Sequence, residues 1–397
     1  MKKFLAIFLA LIMVFAVVAA CNNDDPTPPA EVDPLPGGVN GEEGDDADLV
    51  NGDENYTDEA GPIIRVALVT HSPASILEDA SFNQGAWDGV QRFAAENNIA
   101  SDNIFWAQPN DGTVDARIEL VENLINDRGA EVIVMPGFDW NHAAYDLQTY
   151  FPDTKFILLD TLPVSPDWSD FTIENNLVSI SYAEEQSGFL AGYAAVMDGF
   201  RELGFLGGRA VDAVIRFGHG FILGAEHAAQ ELGLEPGDVT IKYHYTGTFA
   251  ADPAIATTAG AWYAAGTEVI FVAGGRIFDS VIPAAEAAGT FMIGVDGDQS
   301  GLSEVVITSA MKDLAQSVAD MLNDILNGTF KGGQALLYNA EGRGVGLPMA
   351  TSRFNNFTQA QYDAIFELLA NGTVTVSTSL EMDDILASIT IVNVIEQ

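Results

Sequence analysis

Cysteine is almost missing from this chain: Cys21 is the single one in 397 residues. A lone thiol excludes an intramolecular disulfide framework and any cysteine-based metal cluster. Basic side chains are also scarce, with 16 Lys and Arg against 57 Asp and Glu and a formal charge of −41. A nucleic-acid binder needs a basic face to displace counterions, so nucleic acid is excluded as a partner. The same acidity favours solubility and weakens contact with anionic membranes. Of the five histidines, His219 and His227 are closest in sequence, yet they would stand about 12 Å apart along a helix, too far to share a metal. The chain lacks a P-loop, a Gly-x-Ser-x-Gly elbow and a His-Glu-x-x-His motif. Gly218, Gly220 and Gly224 miss the dinucleotide fingerprint by one residue, and are read instead as allowing close helix packing. Carboxylates abound, but none commits to an acid/base pair. No catalytic residue, metal or cofactor is assigned, and an enzyme ranks last among the function classes.

What is present begins with Lys2 and Lys3, followed by the apolar run Phe4 to Val18. That run has signal-peptide length and is too short for a stable membrane span, and no later stretch is long and apolar enough for one. Val18-Ala19-Ala20-Cys21 resembles the lipobox of bacterial lipoproteins, in which the cysteine is lipidated and becomes the mature N-terminus. The expectation is a signal segment over 1–21, a lipid on Cys21, and a location on the extracytoplasmic face of the cell membrane. Residues 22–61 hold thirteen Asp or Glu, no Lys or Arg, and five prolines between Pro26 and Pro36. Such a segment buries too little apolar area to offset the entropy of ordering and repels itself, so a disordered, extended tether is expected.

The body from residue 62 is too long for one ordinary core and fits two domains of common size. Short apolar runs alternate with helical periodicity. Ile63 to Thr70, Glu131 to Met135, Phe156 to Asp160 and Phe171 to Ile173 read as strands of a first series. Gly204 to Gly208, Val239 to Tyr245, Val269 to Val272 and Phe291 to Val295 read as strands of a second. Helices are expected at Phe82–Phe93, Val114–Ile125, Gly188–Val196, Phe221–Leu232, Pro253–Ala265 with Asp252 as N-cap, and Ile277–Ala288. Strand–helix alternation predicts parallel sheets covered on both faces, and two series predict two Rossmann-like lobes. In such sheets ligands bind beyond the carboxyl ends of strands, which directs attention to the residues after Thr70, Met135, Gly208, Val272 and Val295.

The segment Asp79-Ala80-Ser81-Phe82-Asn83-Gln84-Gly85-Ala86-Trp87-Asp88-Gly89 resembles the signature of the basic membrane protein family of lipoproteins. That family includes the purine-nucleoside receptor lipoproteins of ATP-driven importers. Gly137-Phe138, Arg216 to Phe221, Val269 to Gly275, Ile293 to Gln299, Thr308 to Lys312 and Gly344 to Leu347 resemble the family in the same order, over residues 63–375. The resemblance implies an α/β type I periplasmic-binding-protein fold, two lobes joined by a hinge. The first lobe is expected over 62–178 with part of 300–345 returning to it. The second is expected over 179–297 with part of 346–397 returning. Crossings between lobes are expected near 175–180, 296–305 and 340–348.

The implied function is capture of a nucleoside, a purine nucleoside foremost, by a monomer that passes it to an ABC permease. Another small polar ligand, or a sensory role on the same fold, is the alternative. A base needs aromatic faces, and base–aromatic stacking contributes about 1–3 kcal/mol. Phe82, at a helix start, and Phe217, before a Gly-rich turn, would sandwich it from the two lobes. Ribose hydroxyls need carboxylate acceptors, because charge-assisted bonds are the stronger kind. The resemblance gives that role to Asp296, with Lys312 beside it, while Asn83 offers both donor and acceptor. Two positions depart from the family pattern. His71 stands where an Asp is usual after the first strand. After Gly137-Phe138, Asp139 or His142 stands in for an acidic residue. Phe138 and Gly275, both in turns after strands, complete the candidate set.

Overall fold

Apolar runs such as Val66-Ala67-Leu68-Val69 are buried along their whole length rather than alternately. That pattern belongs to strands with both sheet faces covered. The structure, a computed structural model, describes residues 62–397. The expected signal segment, lipidated Cys21 and acidic tether lie outside the described residues.

Two sheets result. The first holds β1 (Val66–Val69), β2 (Ile104–Ala107), β3 (Val132–Pro136), β4 (Lys155–Leu159) and β5 (Leu177–Tyr182), in the order β5-β4-β3-β1-β2, all parallel. The second holds β6 (Glu202–Gly207), β7 (Val239–Tyr245), β8 (Val269–Ala273), β9 (Phe291–Asp296) and β10 (Val306–Lys312), in the order β10-β9-β8-β6-β7, again parallel. The two orders are the same once renumbered, so each strand of one sheet has a counterpart in the other. Later strands extend both sheets: β11 (Gln334–Tyr338) beside β5, β12 (Val345–Gly346) antiparallel beside β10, and β13 (Val392–Glu396) beside β7.

The chain therefore passes between sheets three times. It leaves the first after Tyr182, returns after Lys312, and leaves it again between Tyr338 and Val345. The crossing expected near 296–305 lies instead at 312–313, because β10 stays beside β9. Parallel neighbours normally need a helical crossover of a dozen residues or more. No helix is legible over 297–305, yet that short irregular segment makes the connection. The crossing expected at 175–180 falls after β5, which belongs to the first sheet. The strand expected at Phe171–Ile173 is irregular chain.

Helices α1 (Phe82–Glu96), α2 (Val114–Arg128) and α3 (Asn141–Tyr150) cover the first sheet. They are followed in the chain by α4 (Glu184–Asp198), α5 (Asp212–Glu231), α6 (Pro253–Ala264), α7 (Phe278–Ala288) and α8 (Leu314–Leu326). Asp252 caps α6, accepting from the Ala254 N–H at 2.7 Å. Helix α8 packs on α1 through Gly85 and Gly89, where a Cβ would strike Leu314, Ala315 or Val318.

Helix α5 begins nine residues before the expected Phe221, and runs through Gly218 and Gly220. Gly220 and Gly224 serve the expected helix contact, whereas Gly218 faces the sheet at Tyr243 and Phe205. A Cβ on Gly220 or Gly224 would collide with the backbone of α4 at Glu185 or Phe189, and one on Gly188 or Gly192 with that of α5 at Phe217 or Phe221. The two helix backbones thus approach closely. This contact sets Glu184, in the first turn of α4, against Arg216 of α5.

Candidate functional site

The carboxyl ends of both sheets converge on a cavity of about 1120 Å³. Nine of the ten expected residues line it: His71, Phe82, Asn83, Phe138, Asp139, Phe217, Gly275, Asp296 and Lys312. His142 does not. Its Nδ1 lies 2.9 Å from the Val164 carbonyl and its ring meets Trp168 edge-on, so it supports the wall from behind.

The end of the cavity nearest the chain crossings is ionic. Lys312, the last residue of β10, is 3 % exposed. Its ammonium lies 2.6 Å from Asp160, 3.1 Å from Glu184 and 3.8 Å from Asp296. Three aromatic rings surround it, Phe82 at 4.9 Å and Tyr182 and Phe217 at 5.4 Å. Glu184 is shared with Arg216, whose Nε donates to it at 2.8 Å. Asp296 accepts from the Ser81 hydroxyl at 2.7 Å, a bond between the two lobes.

Asp160 directly follows β4, and Asp296 ends its counterpart β9. Both adopt left-handed backbone, with φ of 62° and 65°. Outside glycine this conformation is uncommon, and Asp is among the residues that tolerate it. Such strained positions cluster at ligand sites.

One ammonium cannot neutralise three buried carboxylates. Burial pushes Asp160 up to about 7 despite its contact with Lys312. Burial likewise raises Asp296, and lifts Glu185 to about 7 and Asp79 to about 6. Lys312 itself is held above its ordinary value by Asp160, Glu184 and Asp296, which outweigh its desolvation. Asp160 Oδ1 is buried and has no hydrogen-bond partner among the described residues. It is a buried acceptor without a donor, on a residue that lines the cavity.

These shifts set the sign of the pH response. Without ligand, the native protein keeps protons on Asp160 and Glu185 that an unfolded chain loses at ordinary carboxylate values. Stability is therefore expected to fall as pH rises from about 4 to about 7, and to level off above. A ligand that donates to ionised Asp160 responds in the opposite sense. Its affinity should rise with pH up to about 7, by up to about tenfold per pH unit for each proton released, and then flatten. Denaturation and titration at pH 5.5, 7 and 8.5 test both signs; affinity that is flat over this range contradicts a donor on Asp160.

Aromatic and neutral groups line the rest. Phe217 is 2 % exposed inside α5, with its ring edge against Phe271. It was expected ahead of a turn, and its burial leaves it less face than Phe249, which the sequence reading passed over. Phe249 and Phe138 bring rings from the two lobes to 6.4 Å. The Asn83 amide donates to Asp79 at 2.9 Å and to the Ile76 carbonyl at 3.2 Å, so both its hydrogens are used within its own lobe. His71 lies 2.8 Å from the Ser75 hydroxyl and 3.6 Å from Asp139, and burial lowers its pKa. Asp160, Glu184, Arg216 and Phe249 were not singled out from sequence. Asp160 carried the same signal as Asp296, an acid closing an apolar strand. Glu184 opens a helix and gave none.

Among the described residues, no group of three or more His, Cys, Asp or Glu side chains is placed to hold a metal ion. Among the same residues, no helix is long and apolar enough to cross a membrane.

The fold is that of solved solute-binding proteins. An ABC transporter solute-binding protein from Aeropyrum pernix superposes with TM-score 0.67 at 18 % identity, over 82 % of this chain and 96 % of that one. One from Conexibacter woesei gives 0.62 at 24 % identity, over 79 % and 99 %. Among curated proteins, the ABC transporter nucleoside-binding protein BmpA of Lactococcus lactis is 27 % identical over 314 residues, covering 74 % of this chain and 84 % of that protein. Basic membrane protein A1 of Borrelia garinii is 30 % identical over 278 residues, covering 68 % and 76 %. Residues 63–380 match the family described as Bmp: ABC transporter substrate-binding protein PnrA-like. The chain belongs to this family of binding proteins, which are not enzymes and which serve ABC transporters with a small-molecule substrate.

Proposed function

We propose that this chain is a lipid-anchored extracytoplasmic receptor that captures a nucleoside, a purine nucleoside foremost, for an ABC permease. The observation that carries the ligand assignment is the unpartnered Asp160 Oδ1 beside Lys312, Glu184 and Asp296, at one end of a cavity whose other end is aromatic. Vicinal hydroxyls supply the donors that this acidic end needs, and a flat base suits the rings of Phe138 and Phe249 at the other. The two ends also have the right separation. Strand β1 lies two strands from β4, and β6 two strands from β9, which is about 10 Å at the usual spacing. That is about the reach of a sugar joined to a base. The name of the Lactococcus relative, a nucleoside-binding protein, supports the same ligand class.

A nucleoside at 100 times its dissociation constant should stabilise the folded chain by about 2.7 kcal/mol. Thermal denaturation with a panel of nucleosides, sugars and amino acids reads this out. Stabilisation by a sugar or an amino acid and by no nucleoside would move the protein to another ligand class on the same fold. The anchor rests on the residues Val18 to Cys21, and Cys21→Ala should release the protein from the membrane fraction; retention there contradicts it.

A further inference from the structure

We propose that Arg209 makes this site selective for nucleosides whose base presents two adjacent hydrogen-bond acceptors, the 6-oxopurines, over adenosine. The inference rests on the nucleoside reading above and deepens it.

The cavity is lined by four cationic side chains besides His71, and three of them are already paired. Lys312 is held by Asp160 and Glu184, Arg216 by Glu184, and Arg276 by Asp279 at 2.6 Å. Arg209 has no carboxylate within 4 Å and no side-chain hydrogen bond among the described residues. In a chain with 16 basic and 57 acidic residues, a guanidinium in a cavity without an acid on it calls for a partner from outside the protein.

Its surroundings limit what that partner is. The guanidinium carbon lies 5.3 Å from the Phe138 ring centre and 5.9 Å from that of Phe249, so it lies beside the pair of rings, one from each lobe. Arg209 follows β6, the counterpart of β1, and shares this end of the cavity with His71 and Asp139. The ionic cluster that suits a sugar lies two strands away in both sheets. A ligand whose hydroxyls reach Asp160 and Asp296 therefore turns its flat end to Arg209.

A guanidinium is a planar fork of N–H donors and has no acceptor. It matches the O6 and N7 acceptors of guanine or hypoxanthine in bidentate fashion, whereas adenine offers a donor amino group in place of O6. Asp139, in the same corner, accepts from the N1–H that 6-oxopurines carry and adenine lacks. Phosphate would also satisfy Arg209, but the formal charge of −41 repels a dianion, and the two neighbouring phenyl rings favour a flat neutral group.

The test is calorimetric titration of the full chain with guanosine, inosine, adenosine and guanosine 5′-monophosphate. The wild type should bind guanosine and inosine about 5- to 150-fold more tightly than adenosine, the range of one good bidentate contact. Arg209→Met should weaken guanosine and inosine by that factor and leave adenosine within about threefold, and so erase most of the preference, the remainder resting on Asp139. Arg209→Lys keeps the charge and loses the fork, and should erase most of it too. Arg209 is exposed, and melting curves without ligand check that both variants fold. Equal wild-type affinity for adenosine and guanosine, or an equal loss for all three nucleosides in Arg209→Met, overturns the proposal while the nucleoside reading stands. Tighter binding of the monophosphate, lost in Arg209→Met, overturns it in favour of a phosphate partner. Binding of no nucleoside at all overturns both readings.

Discussion

Lys312→Met should lower the stability of the unliganded protein by about 3–5 kcal/mol at pH 8, the cost of removing one partner from a buried ion pair. The side chain is almost fully buried, and methionine keeps its length and apolar stem. What is lost is the charge that Asp160, Glu184 and Asp296 share. Arg216 remains for Glu184, while Asp160 and Asp296 are left without a cation. They then have to take up protons, which grows easier as pH falls, so part of the lost stability should return at pH 5. Asp160→Asn placed on top of Lys312→Met removes one stranded charge and should recover part of the loss at pH 8. Denaturant unfolding at the two pH values reads all of this. A Lys312→Met protein as stable as wild type at pH 8 would mean that the cluster is hydrated, with Lys312 of little consequence to it.

The second large effect is on binding. Asp296→Asn should weaken nucleoside affinity by an amount approaching the 1.5–3 kcal/mol of a hydrogen bond to a charged group, about 10- to 150-fold. Asparagine tolerates the left-handed backbone that this position requires, with φ of 65°, and can still accept from Ser81. Removing a carboxylate from an over-acidic cluster should leave the unliganded protein no more than about 1 kcal/mol less stable. Asp296→Ala would add backbone strain of about 1–3 kcal/mol and confuse the two effects. Calorimetric titration beside a melting curve separates them. Unchanged affinity in a folded Asp296→Asn protein would remove Asp296 from the site.

Several elements were legible because local pattern and final packing agree. The seven residues Val239–Tyr245 form β7 with the bounds read from sequence, since apolar and polar residues alternate there. Helix α6 was marked by Asp252 and Pro253, a cap and a first-turn residue whose preferences need no tertiary context. Strand β2 escaped notice because it is an edge strand, with Trp106 exposed and its neighbours only half buried. The start of α5 was missed because Gly218 and Gly220 looked like a turn. Glycine weakens a helix interior, and here close approach to α4 overrides that preference.

The site divides along the same line. Asp296 and Phe82 were accessible from sequence because strand ends and helix starts mark the ligand edge of an open α/β sheet, and Lys312 and Phe138 came from the family resemblance. Glu184, Arg216, Phe249 and Arg209 acquire meaning only from partners brought to them across the cleft. Lys312 joins residues from 160 to 312 in one cluster, and Ser81 reaches Asp296 from 215 positions away. No local window of sequence contains such pairs.

The most direct test of the central claim is a calorimetric titration of the protein with a nucleoside and, separately, with its free base and with free ribose. A cavity that holds hydroxyls at Asp160 and Asp296 and a flat ring at the other end predicts saturable one-to-one binding of the nucleoside, with both fragments markedly weaker, because each forfeits half of the contacts. Binding of free ribose as tight as that of the nucleoside, or no heat from any nucleoside in a correctly folded protein, would contradict it.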